Sequence, residues 1–149
     1  MTLQVISVAE IRGLLAQLME QGRVVAPHKR PGDRQWAFED LTDPADAVLQ
    51  YTTTILPAKK YAFPSKETLL RYELGQSPSV TAVVDSEPLV LFGVHTCDLY
   101  GLTALDTAFG DHYTDANYLE KRAKMRILGI ECVPDEWCFC ASMGTATID

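Results

Sequence analysis

Leu-Val-Leu-Phe-Gly-Val-His-Thr-Cys-Asp, residues 89–98, is the stretch from which the fold is most directly predicted. Its first six residues form a continuous apolar run, which is typical of a strand buried on both faces of a sheet. A second such run lies at 126–130, and helical patterns begin near Asp98 and Asp115 between the two runs. The order strand, helix, strand predicts parallel strands whose carboxyl ends share one edge of the sheet.

A helix is predicted at the start of the chain. Ser7 stands three residues before Glu10, which is the pattern of a capping box. Apolar residues then recur at helical spacing up to Gly22, a residue that can adopt the left-handed conformation of a helix end. These signals predict a helix over 8–21 that packs one apolar face on the sheet.

The other elements are predicted from short apolar runs and turn residues. They are an antiparallel hairpin of strands 23–27 and 35–38 around Pro31-Gly32-Asp33, strand and loop over 41–64, a short helix from Ser65 to about Gly75, and a buried strand at 80–84. We therefore expect a single α/β domain over residues 1–149, with a mixed, largely parallel sheet, flanking helices and a small antiparallel N-terminal part.

Composition and charge exclude several classes of protein. The net charge of -7 in 149 residues argues against nucleic acid and anionic membrane surfaces, which attract positively charged proteins. The sequence contains no apolar stretch of about 18 residues, so we expect no membrane insertion. Its start does not resemble a signal peptide, and we expect a cytoplasmic protein with free thiols.

Four cysteines, Cys97, Cys132, Cys138 and Cys140, are the candidate metal ligands. Cys97 follows the first buried strand and Cys132 closes the second, so both thiols are expected at the same edge of the sheet. Cys138 and Cys140 follow within eight residues of Cys132. The sequence therefore predicts that the four thiols converge on one metal site.

The spacing of the cysteines favours an iron–sulfur cluster over zinc. Both accept four thiolates, but structural zinc sites usually contain pairs of cysteines separated by two to four residues, a pattern absent here. A zinc site and cysteines that merely pack in the core, Cys132 above all, remain alternatives. A third hypothesis, a nucleophilic cysteine with His95 or His112 as its base, is weak because no third group orients the histidine.

Residues beside the cysteines suggest supporting roles. Asp98 is expected to cap the following helix, and His95 and Thr96 are candidate donors to the site. Trp137 and Phe139 are expected either to shield a cluster from water or to fill the core. The backbone N–H groups of 142–145 are expected to form a nest for an anionic cluster. The lysine-rich segment 57–65 is expected to be a solvated basic loop or a docking surface.

The segments 91–98 and 131–145, together with Leu-Pro-Ala-Lys-Lys-Tyr-Ala-Phe-Pro-Ser-Lys-Glu at 56–67 and residues 105–113, resemble a known family. They are similar to the iron–sulfur beta subunit of sulfhydrogenase-type hydrogenases and to the related iron–sulfur subunit of anaerobic sulfite reductase. The resemblance implies that the four cysteines hold an N-terminal [4Fe–4S] cluster. It also implies a non-catalytic electron-transfer role beside flavoprotein and catalytic subunits. The two ferredoxin cluster motifs of that family's C-terminal domain do not occur in these 149 residues, and we expect either an N-terminal fragment of a longer protein or a shortened relative in which the ferredoxin-like domain is absent.

Overall fold

A computed structural model describes residues 5–29, 32, 34–112 and 114–147. Within that part of the chain the α-helices are α1 Val8–Gln21, α2 Thr96–Thr107 and α3 Ala116–Ala123, with a π-helical segment Ala108–His112 after α2 and short 3-10 helices at Pro44–Asp46 and Ala58–Tyr61. The strands are β1 Arg23–His28, β2 Ala37–Asp40, β3 Leu70–Glu73, β4 Ser79–Ala82, β5 Leu89–Val94 and β6 Met125–Gly129.

The main sheet contains four strands in the order β2-β1-β5-β6. β1 runs antiparallel to β2 and parallel to β5, and β5 runs parallel to β6. All six residues of β5 are buried, as its unbroken apolar run predicts for a central strand. The α/β class and the mixed, largely parallel sheet are thus confirmed, and the N-terminal hairpin is part of this sheet.

Apolar residues cover both faces of the main sheet. On one face, Leu15 of α1 packs with Val24 and Phe92, which point to the same side of β1 and β5. On the other face, Leu102 of α2 and Tyr118 of α3 pack with further residues of the sheet. Burial of each large side chain contributes about 1.5–3 kcal/mol, so the two clusters hold the helices on opposite faces.

Helix α1 has the predicted bounds and capping box. Ser7 Oγ accepts the Glu10 N–H at 3.2 Å, and the Glu10 carboxylate accepts the Ser7 N–H at 2.6 Å. The predicted left-handed end is wrong, because Gly22 is extended with φ 167°. The chain passes directly from Gly22 into β1, while the Gly22 N–H donates to the Leu18 carbonyl at 3.1 Å.

The helix predicted from Ser65 to about Gly75 is wrong. Residues Leu70–Glu73 form strand β3, which pairs antiparallel with β4 over Ser79–Ala82. The predicted strand at 80–84 therefore exists in shorter form, but it is exposed rather than buried. A helix of this length is marginal without a packed face, whereas the ribbon gains backbone hydrogen bonds from its partner strand.

The segment 41–64 contains 3-10 helices, and its strand content is a single bridge between Trp36 and Thr54 within the described residues. Its lysine-rich part is not simply a solvated basic loop, since Ala58 and Ala62 are buried. Lys60 Nζ and Tyr61 Oη both donate to the Phe38 carbonyl, at 3.0 and 2.9 Å. This segment consequently covers the edge strand β2.

Pro31 and Asp33 of the predicted hairpin turn lie outside the described residues. Among the residues that are described, no helix is both long enough and apolar enough to cross a membrane.

Candidate metal centre

Cys97 lies in the first turn of α2, directly after the central strand. His95 is the N-cap residue, with an extended backbone, and the helix begins at Thr96. Asp98 is therefore the third helical residue, and the prediction that it caps the helix is wrong. Burial raises the pKa of Asp98, while the charge of Lys59 and the Ala58 N–H oppose that rise. Asp98 thus attaches the segment around Ala58 to α2.

Cys132 occupies the equivalent position after β6. In the parallel ladder Val94 of β5 lies opposite Gly129 of β6, and Cys97 and Cys132 each follow three residues later. The Ile130 N–H donates to the Val94 carbonyl at 3.0 Å, which continues the pairing beyond the strand. The carboxyl ends of β5 and β6 therefore bring both thiols to one edge of the sheet, as predicted from the topology.

Cys138 and Cys140 lie in the loop after β6, which folds back on itself. The Cys138 N–H donates to the Asp135 carbonyl at 3.1 Å, and Cys138 Sγ accepts the Asp135 N–H at 3.4 Å. The Thr145 N–H donates to the Cys140 carbonyl at 2.9 Å. These local bonds fold the loop into turns around the two cysteines.

Two hydrogen bonds tie the end of this loop to α2. Thr96 Oγ1 donates to the Ala146 carbonyl at 3.1 Å, and Tyr100 Oη donates to the Thr147 carbonyl at 3.1 Å. The loop therefore returns over the N-terminal half of α2, next to Cys97. Thr96 uses its hydroxyl proton in this bond, which makes it a positioning residue for the loop.

All four cysteines line one cavity of about 240 Å³. They are free thiols and partly buried. The other lining residues are Thr52, Thr53, His95, Val133, Asp135, Trp137, Phe139 and Thr145. The cavity is well above the roughly 30 Å³ that one water molecule occupies in the liquid. The structure thus brings together the four predicted site residues around a space that is large enough for a bound group.

The thiols surround the cavity without meeting at one point. In the part of the chain that the structure describes, no three side chains of His, Cys, Asp or Glu lie close enough together to hold a metal ion. The four-cysteine metal site therefore stays a prediction. The four cysteines line one cavity, and Cys97 lies within hydrogen-bonding reach of Cys140.

Burial and nearby charges raise the pKa values of Cys97 and Cys132. The pKa of Cys97 rises to about 11, first because of burial and then because of the charge of Asp98 and the nearby Cys140. Burial, followed by the charge of Cys140, also raises the pKa of Cys132. Raised thiol pKa values disfavour a nucleophilic thiolate, whereas a bound metal converts such thiols into thiolate ligands. The donor set therefore fits a thiophilic metal or cluster better than an activated nucleophile.

Several neighbouring residues differ from their predicted roles. Trp137 and Phe139 do not fill the core, since they are 80% and 70% exposed at the cavity. The N–H groups of Met143, Gly144 and Thr145 all donate to backbone carbonyls of the same loop, so the predicted anion nest does not form there. The side chain of His112 lies outside the described part of the structure.

Residues 51–53, which no sequence pattern indicated, lie beside the cavity or line it. Tyr51 stacks on the His95 ring with centroids 4.0 Å apart and an interplanar angle of 14°. Its hydroxyl donates to the Gly93 carbonyl at 2.6 Å. Thr52 and Thr53 follow it and line the cavity. These residues lie in a segment without clear periodicity, and a contact with β5 places them.

The fold is that of an α/β protein with a mostly parallel sheet, and its four cysteines line a cavity at the carboxyl edge of that sheet. Comparison with known proteins gives the particular relationship. The chain is 37% identical over 129 residues, 87% of its length, to the Sulfhydrogenase 2 subunit beta of Pyrococcus furiosus. It spans 37% of that protein's length. The chain is therefore related to the sulfhydrogenase beta subunit family, as its motifs predicted. No family model matches the chain, and no solved structure matches it significantly.

Proposed function

We propose that this chain is an electron-transfer module that holds one [4Fe–4S] cluster and serves in a hydrogenase-type oxidoreductase complex. The proposed ligands are Cys97, Cys132, Cys138 and Cys140. The observation that carries the proposal is that all four cysteines of the chain, from three separate segments, line one cavity at the carboxyl edge of the sheet. The relationship to a sulfhydrogenase beta subunit supports it.

The spacing of the cysteines along the chain supports a cluster over a zinc ion, because structural zinc sites usually contain pairs of cysteines separated by two to four residues, a pattern absent here. Zinc is held by sulfurs at about 2.3 Å, which places neighbouring sulfurs about 4 Å apart around one point. A cluster is bound at its periphery, so its ligands stand further apart around a larger space. The four cysteines line a cavity of about 240 Å³, which is larger than a single zinc ion fills, and this size supports a cluster.

When bound, the cluster supplies reversible one-electron transfer, and the chain carries out no bond chemistry on a substrate. Trp137 and Phe139 form an exposed apolar rim beside the cavity. Electron transfer between subunits needs a partner close to the cluster, and an apolar rim is suited to exclude water there. The partners that we propose are flavoprotein and catalytic subunits of the same complex, in the cytoplasm.

The direct test is anaerobic purification followed by analysis of iron, acid-labile sulfide and zinc. We expect iron and sulfide in equal amounts, in the proportion of one [4Fe–4S] cluster per chain, and an EPR signal after reduction with dithionite. Cys97→Ser and Cys138→Ser should lower the iron content several-fold, because each removes a ligand. Ser142→Ala, a change in the same loop that spares the thiols, is the matched control.

Zinc in stoichiometric amounts without sulfide would overturn the proposal in favour of the zinc site. If neither metal binds and Cys138→Ser lowers only stability, the cysteines are structural. Rapid alkylation of a single cysteine by a limiting reagent would instead support the thiol-dependent enzyme.

A further inference from the structure

His95 carries a buried polar atom that the protein does not satisfy. The residue is 5% exposed, and among the described residues its Nε2 is the one buried side-chain nitrogen or oxygen without a hydrogen-bond partner. Buried polar atoms are nearly always paired, because an unpaired one loses its bond to water without replacement. His95 also lines the cavity that the four cysteines share. The unsatisfied atom therefore belongs to a residue of the candidate metal centre.

The imidazole ring is held firmly in its place. The His95 carbonyl accepts the N–H groups of Asp98 and Leu99, both at 3.1 Å, which fixes the backbone at the start of α2. Tyr51 covers one face of the ring in the stacked contact, and Trp36 and Phe38 pack against Tyr51 in turn. Turning the ring toward another partner would therefore break its stacked contact with Tyr51.

A hydrogen-bond acceptor inside the cavity would satisfy this nitrogen. A neutral imidazole donates from one nitrogen, and the sulfurs of an iron–sulfur cluster accept hydrogen bonds. The lining of the cavity contains no Lys or Arg among the described residues. The side chains of the lining that can donate a hydrogen bond to an anionic group include Trp137 and three threonines, and His95 stands out because its Nε2 is buried without a partner.

We propose that His95 donates a hydrogen bond from Nε2 to a sulfur of the cluster and raises its reduction potential, with Tyr51 as the residue that positions the ring. The inference rests on the proposed function, since it requires the cluster. Reduction adds one electron and makes the cluster more negative, so the donor stabilises the reduced form more than the oxidised form. No proton or bond is transferred in this step.

The test compares midpoint potentials of purified proteins in dithionite titrations followed by EPR. His95→Phe keeps a stacking ring and removes the donor. We expect the one-electron reduction equilibrium to shift about tenfold toward the oxidised cluster, which corresponds to about 59 mV toward negative potential. His95→Gln, which retains an N–H donor, should shift the equilibrium less. His28→Phe replaces a histidine of β1 that does not line the cavity, and its potential should equal that of the wild type.

The outcomes separate the two proposals. If the wild type binds the cluster and His95→Phe has an unchanged potential, the hydrogen bond is refuted while the proposed function stands. A wild type without a cluster overturns both. If His95→Phe fails to fold, the test uses the wild type labelled with ¹⁵N-histidine. A weak hyperfine coupling between a histidine nitrogen and the reduced cluster, which is also found in His28→Phe, supports the hydrogen bond from His95. Absent coupling, or the strong coupling of a direct ligand, overturns it.

Discussion

Replacing Gly93 with alanine should destabilise the protein strongly. Gly93 lies in β5 at a shift of the ladder between Phe92 and Val94, and its φ is 81°, a conformation that residues with a Cβ rarely adopt. A Cβ built there lies 2.9 Å from Cδ and 3.0 Å from Cγ of Pro27. The substitution therefore combines backbone strain with a steric overlap against a rigid ring.

The expected cost follows from these two effects. An alanine in the left-handed region costs about 1–2 kcal/mol, and overpacking in a core costs about 1–3 kcal/mol. The free energy of unfolding should fall by roughly 2–5 kcal/mol, a large part of the roughly 5–15 kcal/mol typical of such proteins. At about 3 °C per kcal/mol for a chain of this size, the melting temperature should fall by roughly 6–15 °C.

Urea unfolding followed by circular dichroism measures this change. The slope of the free energy of unfolding against urea concentration should stay the same. Gly13→Ala is the matched control, because Gly13 lies inside α1 and a Cβ there meets nothing within 4 Å. That substitution should stabilise the protein by about 0.5–1 kcal/mol. If Gly93→Ala is as stable as the wild type or more stable, the reasoning about the positive φ of Gly93 and its contact with Pro27 is refuted.

Three further predictions concern the stability of the fold. Tyr51→Phe removes the donor to the buried Gly93 carbonyl and should cost about 1–3 kcal/mol in urea unfolding; no loss would contradict this hydrogen bond. Burial raises the pKa of Tyr51 and of Tyr61, so the unfolded chain ionises first and stability should fall as the pH rises above about 10. Urea midpoints measured from neutral to alkaline pH test this, and Tyr61→Phe should flatten the decline. Ser7→Ala removes the acceptor of the capping box and should cost about 1 kcal/mol, a change that thermal unfolding detects.

The parts of the fold that could be predicted from the sequence are those with a local cause. The run at 89–94 is apolar throughout because both of its faces are buried, and this composition identifies a central strand. Helix α1 is visible in its periodicity and in the Ser7 and Glu10 capping pattern. The meeting of Cys97 with Cys132 follows from parallel pairing alone.

The parts that could not be predicted depend on distant contacts. Leu70–Glu73 lies within a stretch whose local pattern is compatible with a helix, and its pairing with Ser79–Ala82 decides the strand conformation. Tyr51 reaches the site because it bonds a carbonyl 42 residues away, which no spacing in its own segment indicates. The return of the last loop over α2 depends in the same way on Thr96 and the Ala146 carbonyl, 50 residues apart.

The site is thus assembled by the fold and not by any one segment. The parallel pairing of β5 and β6 brings Cys97 and Cys132 to the same edge of the sheet. The bond from Thr96 to the Ala146 carbonyl ties the loop that contains Cys138 and Cys140 to α2. An unfolded chain contains the same thiols but not this arrangement of them. A group that binds only the folded arrangement stabilises it by mass action. If the proposed cluster binds, its removal should therefore lower the urea midpoint of the wild type more than that of Cys97→Ser, which lacks one of the proposed ligands.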